Sequence, residues 1–193
     1  MKTKEHILST ALQLFNEQGT AGISTNHIAE AAGISPGNLY YHYRNKEAII
    51  RALFEQLFAL WDTKLALPDD RLPTLDDLQG LVRTNFEIMW AYRFVYRELL
   101  ALLRGDAALH ERFVMIRQRG YEGFREIVSL LAQSGVLNVP TSDETVDELA
   151  DLCWLISEFW MPTIEINGEA ASAAELERGV TLMLAVLRPY FPD

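Results

Sequence analysis

Cysteine is nearly absent from this 193-residue chain: Cys153 stands alone, which excludes an internal disulfide framework and fits a reducing cytoplasm. Long apolar runs are missing too. No stretch of about 18 uninterrupted apolar residues occurs, so no membrane span is expected. The start, Met1-Lys2-Thr3-Lys4-Glu5-His6, has the cationic opening but not the apolar run of a secretory signal, and a cytoplasmic location is the expectation. Histidine is sparse: His6, His27, His42 and His110 show no metal-ligand spacing, and Cys153 sits inside an apolar run, so no metal site is expected. Neither a glycine-rich phosphate loop nor a nucleophile elbow is present, which argues against an enzyme and against a cofactor.

Basic charge is also in short supply. Seventeen Lys and Arg face 27 Asp and Glu, a net charge of −10. The distribution matters more than the sum. Residues 1–64 hold six of each sign and are neutral, so the whole negative excess falls on residues 65–193. Positive groups gather at the start (Lys2, Lys4) and at Arg44, Lys46 and Arg51.

What the chain does have is helical periodicity from end to end, with no convincing strand, and an all-α architecture follows. Ile7, Ala11, Leu14 and Phe15 make one apolar stripe on a first helix, roughly 4–18, which Gly19 stops. Ser24 or Thr25 caps a short second helix carrying Ile28, Ala29 and Ala32 inward, and Gly33 ends it. Ser35-Pro36 restarts a helix at once, serine at the N-cap and proline at the first helical position, over about 36–43. Asn45 caps a fourth helix running towards Leu65. The Pro68–Pro73 stretch is the clearest boundary, and helices are expected beyond it at about 74–91, 93–104, 107–134, 142–166 and 172–191. The expected division is a head at 1–48, a bridging helix at 46–66 and a C-terminal domain at 67–193.

Two short helices joined by a tight glycine turn and buttressed by a preceding helix make a helix-turn-helix, whose second helix is sized for the major groove of DNA. Leu39 and Tyr43, four apart, face inward together, which turns Pro36, Gly37, Asn38, Tyr40, Tyr41 and His42 elsewhere. A tyrosine hydroxyl donates to phosphate while its ring lies on the sugar, and Lys46 adds charge at the start of the fourth helix.

The run from Thr25 to Ala48, TNHIAEAAGISPGNLYYHYRNKEA, resembles the DNA-binding signature of the TetR family almost residue for residue, with Ala11, Phe15 and Gly19 fitting upstream. The resemblance implies that Thr25, His27, Ser35, Gly37, Asn38, Tyr40, Tyr41, His42 and Lys46 contact double-stranded operator DNA. It further implies an N-terminal three-helix DNA-binding domain, a helical C-terminal domain, dimers formed through the last two helices, release from DNA by a small ligand, and no catalytic activity.

The C-terminal part concentrates large aromatics with a few polar groups among them, the composition of a ligand site. Phe86, Met89, Trp90, Arg93, Phe94, Arg97, Phe113, Tyr121, Phe124, Trp154 and Trp160 are the expected lining. They suit a mainly apolar effector, with an arginine available for a carboxylate. The last two helices are apolar on more than one face, so a second copy is expected to cover Leu152, Ile156, Phe159, Leu176, Val180, Met183, Leu184 and Leu187. Two other readings fit the same residues: a DNA-binding dimer without an inducer, and a helical ligand-binding module that has lost DNA binding.

Overall fold

The computed structural model describes residues 3–140, 143–169 and 172–192; Lys2 and the Asp143 side chain lie outside them. Among the described residues the chain forms nine α-helices and no strand. They are α1 Thr3–Gln18, α2 Thr25–Ala31, α3 Pro36–His42, α4 Lys46–Lys64, α5 Leu75–Ala91, α6 Arg93–Gly105, α7 Ala107–Gln133, α8 Asp143–Ile166 and α9 Ala173–Leu187. A 3-10 turn, Arg188–Tyr190, closes the chain. No helix of the described residues is long and apolar enough to cross a membrane.

The helix ends follow from local chemistry. Gly19 adopts φ +76, a left-handed conformation that costs glycine little, and its N–H returns to Phe15 O at 2.9 Å, ending α1. Ser24 caps α2 by accepting from His27 N, while the His27 ring accepts from the Ser24 N–H at 3.3 Å. Histidine here completes a reciprocal capping box that is usually closed by Glu or Gln. Ser35 accepts from Asn38 N to cap α3, and Asn45 Oδ1 accepts from Ala48 N at 2.9 Å to cap α4.

Packing divides the chain into two compact units: the first 59 residues with Tyr92–His110, and Leu60–Ala91 with the residues from Glu111 onward. The first has a core in which Ile7, Ala11, Phe15, Ile28, Leu39, Ile49, Leu53, Phe54, Leu57 and Phe94 expose nothing. The stripe read for α1 is the face that is buried, although Leu14 at its edge stays half-exposed.

Helix α6 falls in this first unit, on the other side of the division expected from chain order. The reason is specific pairing. Phe94 packs on Phe15 with ring centroids 5.4 Å apart, its N–H donates to Asn16 Oδ1 at 3.1 Å, and Arg97 donates to Asn16 O at 3.0 Å.

In the second unit α9 packs on α5 and α8. Gly179 makes this approach possible: a Cβ there would lie 2.4 Å from Phe86 Cε1 and 2.7 Å from Trp160 Nε1. Val180, Met183 and Leu187 are buried within the chain itself. They were expected to meet a second copy, and the structure assigns them to this core instead, because the face of α9 that carries them is the one turned to α5 and α8.

Candidate nucleic-acid interface

The helix-turn-helix is held from three sides. His6 on α1 hydrogen-bonds Ala32 O through Nε2 at 3.1 Å, at the end of α2. The turn runs through Gly33 at φ +63, and Ile34 N–H donates to Ala29 O at 3.0 Å. Leu39 is fully buried and Tyr43 nearly so, which fixes the roll of α3. Burial also pushes the Tyr43 phenol pKa up, so this ring stays neutral and remains a core group.

That roll presents the opposite face to solvent. Tyr41 is 85% exposed and stands edge-on to His42 at 5.1 Å. Ser35, Gly37, Asn38 and Tyr40 are exposed, and His42 is half-buried. The Tyr40 hydroxyl meets Thr25 Oγ1 at 3.0 Å, joining the start of α2 to the middle of α3. His27 is exposed beside them; its Nδ1 is engaged as an acceptor in the α2 cap, so a neutral His27 ring carries its N–H donor on Nε2.

Between α2, α3 and the start of α4 lies a cleft of about 370 Å³, lined by residues 21–25, Tyr40, Arg44, Asn45 and Lys46. Lys46 Nζ donates to Thr20 O at 2.6 Å, which holds the ammonium on the wall of the cleft. Cation, hydroxyls and backbone around one concavity are the donor set for a phosphate. Arg44 and the 21–24 segment were not among the expected contacts. Arg44 was visible only as part of the basic cluster, and the backbone of the α1–α2 turn carries no sequence signal at all.

Charge agrees with the geometry. The first unit holds eight Lys and Arg against seven Asp and Glu, whereas the second holds nine against twenty. The packing that brings α6 into the first unit therefore adds Arg93, Arg97 and Arg104 to it and leaves that unit slightly positive.

The expected ligand residues fall in both units. Phe86, Met89, Trp90, Phe113, Tyr121, Phe124, Trp154 and Trp160 lie in the second unit, but Arg93, Phe94 and Arg97 belong to the first. Burial, then the neighbouring Arg97, lowers the Arg93 pKa, while Glu17 opposes this. In the second unit Phe86 and Met89 are wholly enclosed. Tyr121 stacks on Trp154 at 4.4 Å, Phe124 meets the same indole at 5.7 Å, and the Tyr121 hydroxyl donates to Asp151 at 2.7 Å. The arginine beside these rings is Arg117, 5.1 Å above Tyr121, and it is already paired with Glu158 at 2.7 and 3.3 Å.

Of the expected interface residues, Leu152 and Phe159 are about half-exposed (50% and 49%), and Leu155 beside them is 54% exposed. Ile156, Leu176 and Leu184 are intermediate.

A three-helix head with a buttressed helix-turn-helix, together with a separate all-helical unit, defines a DNA-binding transcription regulator. Known proteins make the class narrower. Residues 49–193 match the TetR family model described as bacterial transcriptional repressor, and residues 7–53 match that of bacterial regulatory proteins, tetR family. The crystal structure of a TetR-family transcriptional regulator from Marinobacter aquaeolei VT8 is 35% identical, covers 100% of this chain and 93% of its own, and superposes with a TM-score of 0.90. The transcriptional repressor KstR2 of Rhodococcus jostii is 28% identical over 82% of this chain and 80% of its own length. The class C tetracycline repressor protein of Escherichia coli is 30% identical over 55% of this chain, a match that spans only 43% of that relative. The chain belongs to the TetR family of bacterial transcription regulators, which are not enzymes.

Proposed function

We propose that the chain is a homodimeric repressor. Each subunit lays α3 in the major groove of a near-palindromic double-stranded operator, the two half-sites about 34–36 Å apart, and a small, mainly apolar effector releases the pair. The observation that carries the reading is the cleft in which Lys46, Arg44 and Tyr40 line one concavity beside the exposed Tyr41. Thr25, His27, Ser35, Gly37, Asn38 and His42 extend the same contact.

Dimerisation is supported by Leu152, Leu155 and Phe159, three apolar side chains left half-exposed on α8. The effector is supported by the aromatic concentration of the second unit and by one relative's name, a tetracycline repressor. Arg117, the arginine beside the aromatic rings, is already paired with Glu158, so the effector is read as uncharged. A second reading, a dimer without an inducer, draws on the complete enclosure of Phe86 and Met89.

The test is selection of genomic DNA fragments by the purified protein at near-physiological salt, with Lys46→Ala as the control. Recovery of a near-palindromic site, weakened by Lys46→Ala at unchanged dimer mass, is the expected outcome. No enrichment by a protein of confirmed dimer mass would overturn the repressor reading.

A further inference from the structure

Lys46 does not hold itself in the cleft. Its ammonium donates to the carbonyl of Thr20, in the four-residue turn between Gly19 and Gly22. Thr20 is buried, and its own donors both go to one side chain on α6: the backbone N–H reaches Glu98 Oε1 at 2.9 Å, and the hydroxyl donates to Glu98 Oε2. Gly19 closes over the same carboxylate, since a Cβ there would lie 2.8 Å from Glu98 Oε1. The order is therefore carboxylate, turn, ammonium. Glu98 fixes the position and tilt of the Thr20 peptide, and that peptide's oxygen fixes Lys46.

We propose that Glu98 is a positioning residue for DNA binding: it touches no DNA and acts by aiming Lys46 through Thr20. The inference rests on the reading of Lys46 as a phosphate contact. Its physical basis is that the carboxylate alone satisfies both Thr20 donors. A glutamine keeps one oxygen for the Thr20 N–H and turns its NH₂ to the hydroxyl, which then accepts, but neither bond has the carboxylate's charge behind it, so the turn is held less firmly. A looser turn lets the carbonyl that steadies the ammonium shift, and Lys46 then samples positions away from the phosphate. Electrostatics alone predicts the reverse, because removing a carboxylate near a polyanion should tighten binding.

The experiment measures binding of the full-length protein to a fluorescein-labelled random-sequence duplex over a series of salt concentrations, for wild type, Lys46→Ala, Glu98→Gln and the double variant. Lys46→Ala is expected to lower the slope of log K against log salt by about 0.9, the release of one phosphate's counterion. Glu98→Gln is expected to weaken binding and lower the slope in the same way, and the double variant to lose no more than Lys46→Ala alone. Thr20→Val, which removes the hydroxyl donor and keeps the shape, gives a smaller loss of the same kind and serves if Glu98→Gln does not fold. Unchanged or tighter binding by a folded Glu98→Gln, or losses that add to those of Lys46→Ala, overturns the positioning role. If instead Lys46→Ala leaves affinity and slope untouched, the phosphate contact is wrong and this inference falls with it.

Discussion

Replacing Gly179 by alanine sets two effects against each other with opposite signs. Alanine is the better helix former by about 1 kcal/mol, so propensity alone predicts a more stable protein. The packing predicts otherwise. The new methyl would lie 2.4 and 2.8 Å from two carbons of the Phe86 ring and 2.7 Å from Trp160 Nε1. Ordinary contact begins near 3.4 Å, so the ring must retreat by roughly 1 Å, and Phe86 is wholly enclosed with nowhere to go. Overpacking of this kind costs about 2–3 kcal/mol. The Trp160 N–H donates to Glu175 O at 2.9 Å, and disturbing that bond adds about 1 kcal/mol. The net effect is a loss of about 2–3 kcal/mol.

For a chain of this size that loss corresponds to a fall in Tm of roughly 4–12 °C. Thermal unfolding followed by circular dichroism, at one fixed protein concentration because subunit association shifts Tm, reads it directly. The double variant Phe86→Leu, Gly179→Ala supplies the check. Leucine returns the volume the methyl needs, so the double variant should lose at least about 1 kcal/mol less than the two single losses summed. A Gly179→Ala protein as stable as wild type would show that α5 and α9 do not approach this closely, and the packing of the second unit would have to be redrawn.

Two further outcomes follow from single side chains. The Cys153 thiol is buried, and desolvation pushes its pKa up to about 12; since only the thiolate reacts, iodoacetamide should label the native protein at pH 8 on the order of a thousandfold more slowly than the urea-unfolded chain, the native rate rising about tenfold per pH unit. Phe159→Glu places a charge on the half-exposed apolar row of α8, where a second copy is proposed to sit; sedimentation should report half the wild-type mass with the helical spectrum retained, and an unchanged dimer would move the interface elsewhere.

Helix positions were legible because each end carries its own chemistry. Ser24, Ser35 and Asn45 cap, Pro36 opens, and Gly19 and Gly33 close, all within a few residues of the side chains that do the work. The exposed face of α3 was legible for the same reason, since burying Leu39 and Tyr43 leaves one orientation. The partners of α6 were not. Thr20 and Glu98 are 78 residues apart, and an amphipathic stripe states that a face is covered without stating by what. Arg93, Phe94 and Arg97 were accordingly grouped by neighbourhood in sequence with aromatic residues that fall in the other unit. Helix α9 was ambiguous for a related reason. With apolar residues nearly all round, its sequence does not separate the face that meets α5 and α8 from a face left for a second subunit.

The charge partition is why positioning is expected to matter in this head. A unit carrying one net positive charge, in a chain whose other unit is acidic, draws DNA weakly at a distance, and at physiological salt attraction fades beyond about 8 Å. Affinity must then come from contacts made at hydrogen-bond range, where an error of an ångström forfeits the bond. The structure supplies fixed donors instead of surplus charge: Tyr40 tied to Thr25, Lys46 tied to Thr20, and Thr20 tied to Glu98. A strongly basic head tolerates a loose lysine because others take its place. This head has few cations at the cleft, so a change that moves the Thr20 peptide is expected to alter DNA affinity even where the residue changed touches no DNA.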